Sequence, residues 1–70
     1  MTEIRADITG NVWKVTAEVG QVVAAGDTVA ILESMKMEIP VESPAAGTIT
    51  GIRVAPDDHV HEGDLIATID

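Results

Sequence analysis

Moved along itself by 37 residues, the sequence lays Gly10 on Gly47, Val23 on Val60, Gly26-Asp27 on Gly63-Asp64 and Ala30 on Ala67. The apolar classes follow: Val12 falls on Ile49, Val15 on Ile52, Val29 on Ile66 and Leu32 on Ile69, while Glu33 falls on Asp70. Five identities with these matches mark a duplicated structural unit, two quasi-repeats of roughly 8–33 and 45–70 within a single domain of 1–70. Two like halves in 70 residues imply pseudo-twofold packing around one small core.

Each half reads as an apolar strand, a polar stretch, a V-x-x-G-D turn and a second strand rich in Val, Ile, Leu and Thr. The punctuation by Gly10, Gly20, Gly26, Pro44, Gly47, Pro56 and Gly63 leaves no window long enough for a helix. It predicts strands near 2–7, 11–16, 21–23, 28–33, 38–42, 48–54, 59–60 and 65–69. Short strands at this spacing give an all-β fold, a small sandwich or flattened barrel of two sheets filled by Val, Ile, Leu and Ala. Trp13, the sole aromatic residue, is expected in that core or as its partly buried cap, with a partner contact the minority reading. Gly10 and Gly47 are expected at bends that want a residue without Cβ.

One segment breaks the local rules. Between the strands at 28–33 and 38–42 the chain must reverse, yet Glu33-Ser34-Met35-Lys36-Met37 supplies no Gly, Asn, Asp or Pro. Tight hairpin turns favour positive φ at both central residues, which Met and Lys adopt at a cost. Local violations of this kind concentrate at functional sites. A lysine on such a tip is placed for an enzyme to reach its amine. Taken alone, a lysine is ordinarily a solvated charge and two methionines are ordinarily core filler. Here the methionines would have to point together into the very end of the block, so exposure is the expectation.

Composition removes other chemistries. Twelve acidic against four basic residues give a formal net charge of −8, which repels phosphate backbones and anionic lipid; no nucleic-acid or membrane partner is expected. The start MTEIRAD carries no signal or transit pattern. The absence of cysteine excludes disulfides and thiolate metal sites and is compatible with a cytoplasmic location. His59 and His61 near Asp57, Asp58 and Glu62 have the residue types of a metal site, but two imidazoles on a short loop-edge strand read as solvated, and no metal site is assigned. Gly26-Asp27 and Gly63-Asp64 are turn formers with no helix after them, not phosphate cradles. No nucleophile-base-acid order is evident, so no catalytic residue is assigned.

Glu33-Ser34-Met35-Lys36-Met37 resembles the attachment motif of biotinyl domains, usually written with Ala where Ser34 stands. Gly26-Asp27, Val29 and Leu32 upstream, and Pro44-Ala45-Ala46-Gly47-Thr48-Ile49, Val60 and Gly63-Asp64 downstream, are similar to that family's framework, so the resemblance covers essentially the whole chain. It implies a barrel-sandwich hybrid of two four-stranded antiparallel sheets with the lysine on a hairpin. It implies covalent biotin on Lys36, attached by a biotin protein ligase, with Met35 and Met37 as ligase-recognition surface and Glu33, Ser34 and Glu38 flanking the motif. It further implies a carboxyl carrier serving a biotin carboxylase and a carboxyltransferase, and not an enzyme in itself. Ser34 in the place of Ala bears on how readily a ligase modifies the site. No insertion between residues 11 and 30 forms a thumb over the cofactor. Lipoyl domains share the fold but usually carry a polar residue before the lysine and Ala or Val after it. Met35 and Met37 therefore point to biotin, with lipoate the alternative cofactor and an unmodified interaction module the alternative from another class.

Overall fold

In a computed structural model, which describes all of residues 1–70, the chain forms eight strands and no helix. They are β1 (Thr2–Arg5), β2 (Gly10–Val15), β3 (Val22–Val23), β4 (Thr28–Ser34), β5 (Met37–Glu42), β6 (Gly47–Ile52), β7 (His59–Val60) and β8 (Leu65–Ile69). All eight expected strands are present, with no end shifted by more than two residues. No helix long and apolar enough to cross a membrane is present.

The strands pair into two antiparallel sheets, ordered β1-β8-β6-β3 and β5-β4-β2-β7. A shift of 37 residues carries each strand of one sheet onto a counterpart in the other, so the sheets exchange under the pseudo-twofold. The turns obey the same rule. Asp27 Oδ2 accepts from the backbone N–H of Ala24 at 2.9 Å, and Asp64 Oδ2 from that of His61 at 2.8 Å. Gly26 and Gly63, with φ of 92° and 91°, take left-handed conformations that a side chain would strain. This is the physical content of the V-x-x-G-D repeat: an aspartate cap over a turn that its glycine completes. Gly20 at φ 93° matches Asp57 at φ 76°, a non-glycine residue held in the same conformation.

The bulges are duplicated too. Trp13 is the extra residue where β2 meets β4, and Thr50 is its counterpart where β6 meets β8. Fourteen buried apolar residues fill the space between the sheets, with Ile4, Val12, Val23, Val29, Leu32, Ile49, Ile66 and Ile69 the largest. Of the two buried polar side chains, Ser43 donates through Oγ to the Ala45 carbonyl at 2.6 Å, and Thr68 shares a 2.8 Å hydrogen bond with Thr50.

Two expectations are corrected. Trp13 is 49% exposed and belongs to neither core nor cap. Val12 takes the inward position, the bulge keeps Trp13 on the outer face, and the narrow interior is filled by Ile- and Leu-sized groups. Gly10 and Gly47 begin strands rather than forming bends; they do need to lack a Cβ, as expected, but because a distant backbone carbonyl comes close.

Candidate functional site

β4 and β5 are joined by two residues. Ser34 pairs with Met37, and Met35 and Lys36 between them have φ of 52° and 64°. Two positive φ values in a two-residue loop define a type I′ turn, whose twist matches that of the flanking strands. The turn therefore satisfies the sheet at the expense of its own residues: both are non-glycine and one is flanked by bulky Met37. β2 supports β4 only as far as the Asn11–Glu33 pair, so the hairpin tip projects beyond its neighbour.

At the tip Lys36 is exposed, and its ammonium takes part in none of the protein's side-chain hydrogen bonds or ion pairs. Met35 is 91% and Met37 59% exposed, so neither is core filler. Ser34 is half-buried at the base of the turn. Glu33 and Glu38 face each other across the hairpin, both exposed and neither in an ion pair. All six residues of the motif and its flanks are thus gathered on one hairpin, with Lys36 its only cation.

The hairpin is braced from below. A Cβ on Gly10 would lie 2.6 Å from the Glu33 carbonyl oxygen and 3.3 Å from Ser34 Cβ. The matching position at Gly47 lies 2.9 Å from the carbonyl oxygen of Asp70. At the place equivalent to the lysine hairpin the second half brings the two ends together: Thr2 pairs with Ile69, and the N-terminal amine lies 4.0 Å from Asp70 Oδ1.

The two histidines lie elsewhere. His59 Nδ1 is 2.9 Å from Asn11 Oδ1, the rings of His59 and His61 stand edge to face at 5.0 Å, and His61 Nδ1 is 3.8 Å from Asp64 Oδ2. No group of three His, Asp or Glu side chains converges there to hold a metal. A 270 Å³ cleft lies between the edge strands β1 and β5, lined by Glu3, Ile4, Arg5, Asp7, Val41, Glu42 and Pro44, toward the end of β5 away from Lys36. Nothing concave adjoins the lysine. The tip can offer an amine to another molecule but has no pocket in which to transform one.

What the residue reading missed is a row on the outer face of the lysine-bearing sheet. Pro40 stands opposite Ile31, Ile31 opposite Lys14, and the bulged Trp13 beside them. Alternation in the three strands does not reveal this row, because the bulge decides which residues meet.

The sequence model of a protein family described as biotin-requiring enzyme matches residues 1–69. The chain is 42% identical over 67 residues to the biotinylated protein TB7.3 homolog of Mycobacterium leprae, covering 96% of this chain and 94% of that one. It is 40% identical over 63 residues to the biotin/lipoyl attachment protein of Bacillus subtilis, covering 90% and 86% respectively. Among solved structures, the urea carboxylase of Kluyveromyces lactis superposes with a TM-score of 0.94 at 39% identity, covering 99% of this chain but 6% of that one. With its duplicated sandwich and a lysine on a hairpin, the chain belongs to the biotin/lipoyl attachment family.

Proposed function

We propose that this chain is a biotin carboxyl carrier domain in which Lys36 is the attachment residue. The observation that carries the reading is the free, exposed amine of Lys36 on a strained turn between two exposed methionines. The residues fit covalent biotin: the amine is unpaired, and the tip has no side-chain partner that acylation would break.

In attachment, Lys36 Nζ gives up a proton to the ligase and attacks the activated carboxyl carbon of the cofactor. An amide bond forms as the nitrogen sheds its second proton to solvent and the activating group leaves with the bonding electrons. Loss of one positive charge takes the formal net charge from −8 to −9. Once bound, biotin supplies a ureido nitrogen that accepts and releases carboxylate. The chain's own part is presentation. The paired strands β4 and β5 carry the tip outward, and Met35 and Met37 offer adaptable thioether surface to a biotin protein ligase. Glu33 and Glu38 offer charge that selects a basic partner and repels an acidic one. Ser34 closes the turn with Met37.

The partners proposed beyond the ligase are a biotin carboxylase and a carboxyltransferase, in keeping with the carboxylase whose structure this chain matches. A tethered cofactor raises its effective concentration at each site that the carrier can reach. A cytoplasmic setting is proposed, with which the cysteine-free composition is compatible.

Co-expression with a biotin ligase in biotin-rich medium, followed by intact mass spectrometry and peptide mapping, tests the reading. A biotinyl adduct on Lys36 is the expected result. A lipoyl adduct, or a bare lysine, overturns it.

A further inference from the structure

Because the fold is duplicated, each half serves as a control for the other, and one row of residues differs sharply between them. On the outer face of the lysine-bearing sheet, Pro40, Ile31 and Trp13 occupy the positions that Glu3, Thr68 and Thr50 occupy on the opposite sheet. In one half the row is apolar apart from Lys14, which pairs with Ile31. In the other it is polar, and Thr50 and Thr68 bond to each other at 2.8 Å. Folding does not require the apolar version, since the polar one builds the same bulge in the same place. Ile31 and Trp13 are also absent from the residues packed on the core, and Trp13 is 49% exposed.

The row lies beside the site. Ser34 is three residues along β4 from Ile31, about 10 Å of strand. Between the apolar row and the tip stand Glu33 and Glu38, directly opposed and without a cation. Like charges in that arrangement cost strand-pairing energy, which a cation from outside would relieve. Lys14 marks the other side, its Nζ 6.0 Å from the centre of the Trp13 ring.

Resting on the carrier reading, we propose that Trp13, Ile31 and Pro40 form a second contact for the enzyme that acylates Lys36. That enzyme would present an apolar surface to Trp13 with basic side chains on the Glu33–Glu38 side. The reason for choosing the acylating enzyme is reach. An unmodified lysine side chain extends only about 6 Å from its Cα, so its enzyme must press against the hairpin itself. A standard interface of about 800 Å² per partner has a radius near 16 Å, and such a disc centred on Lys36 reaches the row at its rim. The longer arm of the modified protein lets later enzymes act with the sheet held further away.

The test is steady-state biotinylation of purified, unmodified protein by a biotin ligase, comparing wild type, W13T, I31T and T50A, with melting curves for each. W13T and I31T give the apolar face the residues of its symmetry mate, and T50A alters the opposite face. The expected result is a KM raised about tenfold by W13T and severalfold by I31T, with kcat unchanged and T50A indistinguishable from wild type. If W13T does not fold, I31T decides. An unmoved KM in the folded variants overturns the proposal, as does an equal effect of T50A. So does an unchanged KM for attachment combined with slowed carboxyl transfer, which would give the row to a later enzyme. Failure of the wild type itself to take biotin instead overturns the carrier reading on which the proposal rests.

Discussion

The Cβ that Gly10 lacks would lie 2.6 Å from the carbonyl oxygen of Glu33, so the first strand of the lysine-bearing sheet touches the base of the hairpin backbone to backbone. Its mate, Gly47, makes the same approach to Asp70 at 2.9 Å. The two contacts are equivalent by symmetry, and the one at Gly10 is the closer. Glu33 leads into a closed turn held between two paired strands, and Asp70 exchanges two backbone hydrogen bonds with Thr48, at 2.9 and 3.1 Å.

Gly10→Ala is therefore expected to destabilise the protein by about 2–3 kcal/mol, and Gly47→Ala by about 1 kcal/mol. Urea denaturation monitored by circular dichroism compares them. Equal losses, or none, would remove the close-approach account. In the folded fraction, Gly10→Ala should also slow acylation of Lys36 by shifting the hairpin base, while Gly47→Ala leaves it unchanged.

Met35 and Lys36 hold positive φ without the residues that favour it. Replacing them by Asn and Gly, the preferred pair for a type I′ turn, should raise stability by about 1 kcal/mol while removing the acceptor amine. Such a gain in thermal melting would show that the native turn gives up stability for presentation. A loss would mean that the methionine and lysine side chains hold the turn through contacts of their own.

Lys36→Arg keeps the charge and the turn geometry but lacks an amine that a ligase can acylate. Its stability should stay within about 0.5 kcal/mol of wild type, and its intact mass should remain bare after co-expression with ligase. Destabilisation beyond about 1 kcal/mol would make Lys36 a structural residue.

Asp57, at φ 76°, stands where the first half has Gly20 at φ 93°. Asp57→Gly should release local strain and raise stability by about 0.5 kcal/mol after the entropy cost of glycine in the unfolded chain, a shift of a few degrees in Tm. A fall in Tm would mean that the aspartate side chain contributes more than its backbone costs.

Much of the molecule is legible in its residues alone. Residue identity determined the duplication, because Gly26-Asp27 and Gly63-Asp64 each encode a complete turn within four residues: a positive φ at glycine and an aspartate oxygen reaching back three residues. It determined the eight strands, whose ends are marked by glycine and proline, and the hairpin, whose unsuitable turn residues singled out Lys36. These signals are local, spanning a handful of bonds. Tertiary structure decided what depends on the meeting of distant segments. Gly10 proved to be a contact residue because β4 passes over it 23 residues later. Trp13 faces outward because a bulge against β4 offsets β2 by one residue, and one residue of register reverses which face a side chain occupies. The juxtaposition of Glu33 with Glu38, and of Trp13 with Ile31 and Pro40, comes from that register, which is set by how three strands pair rather than by the pattern within any one of them.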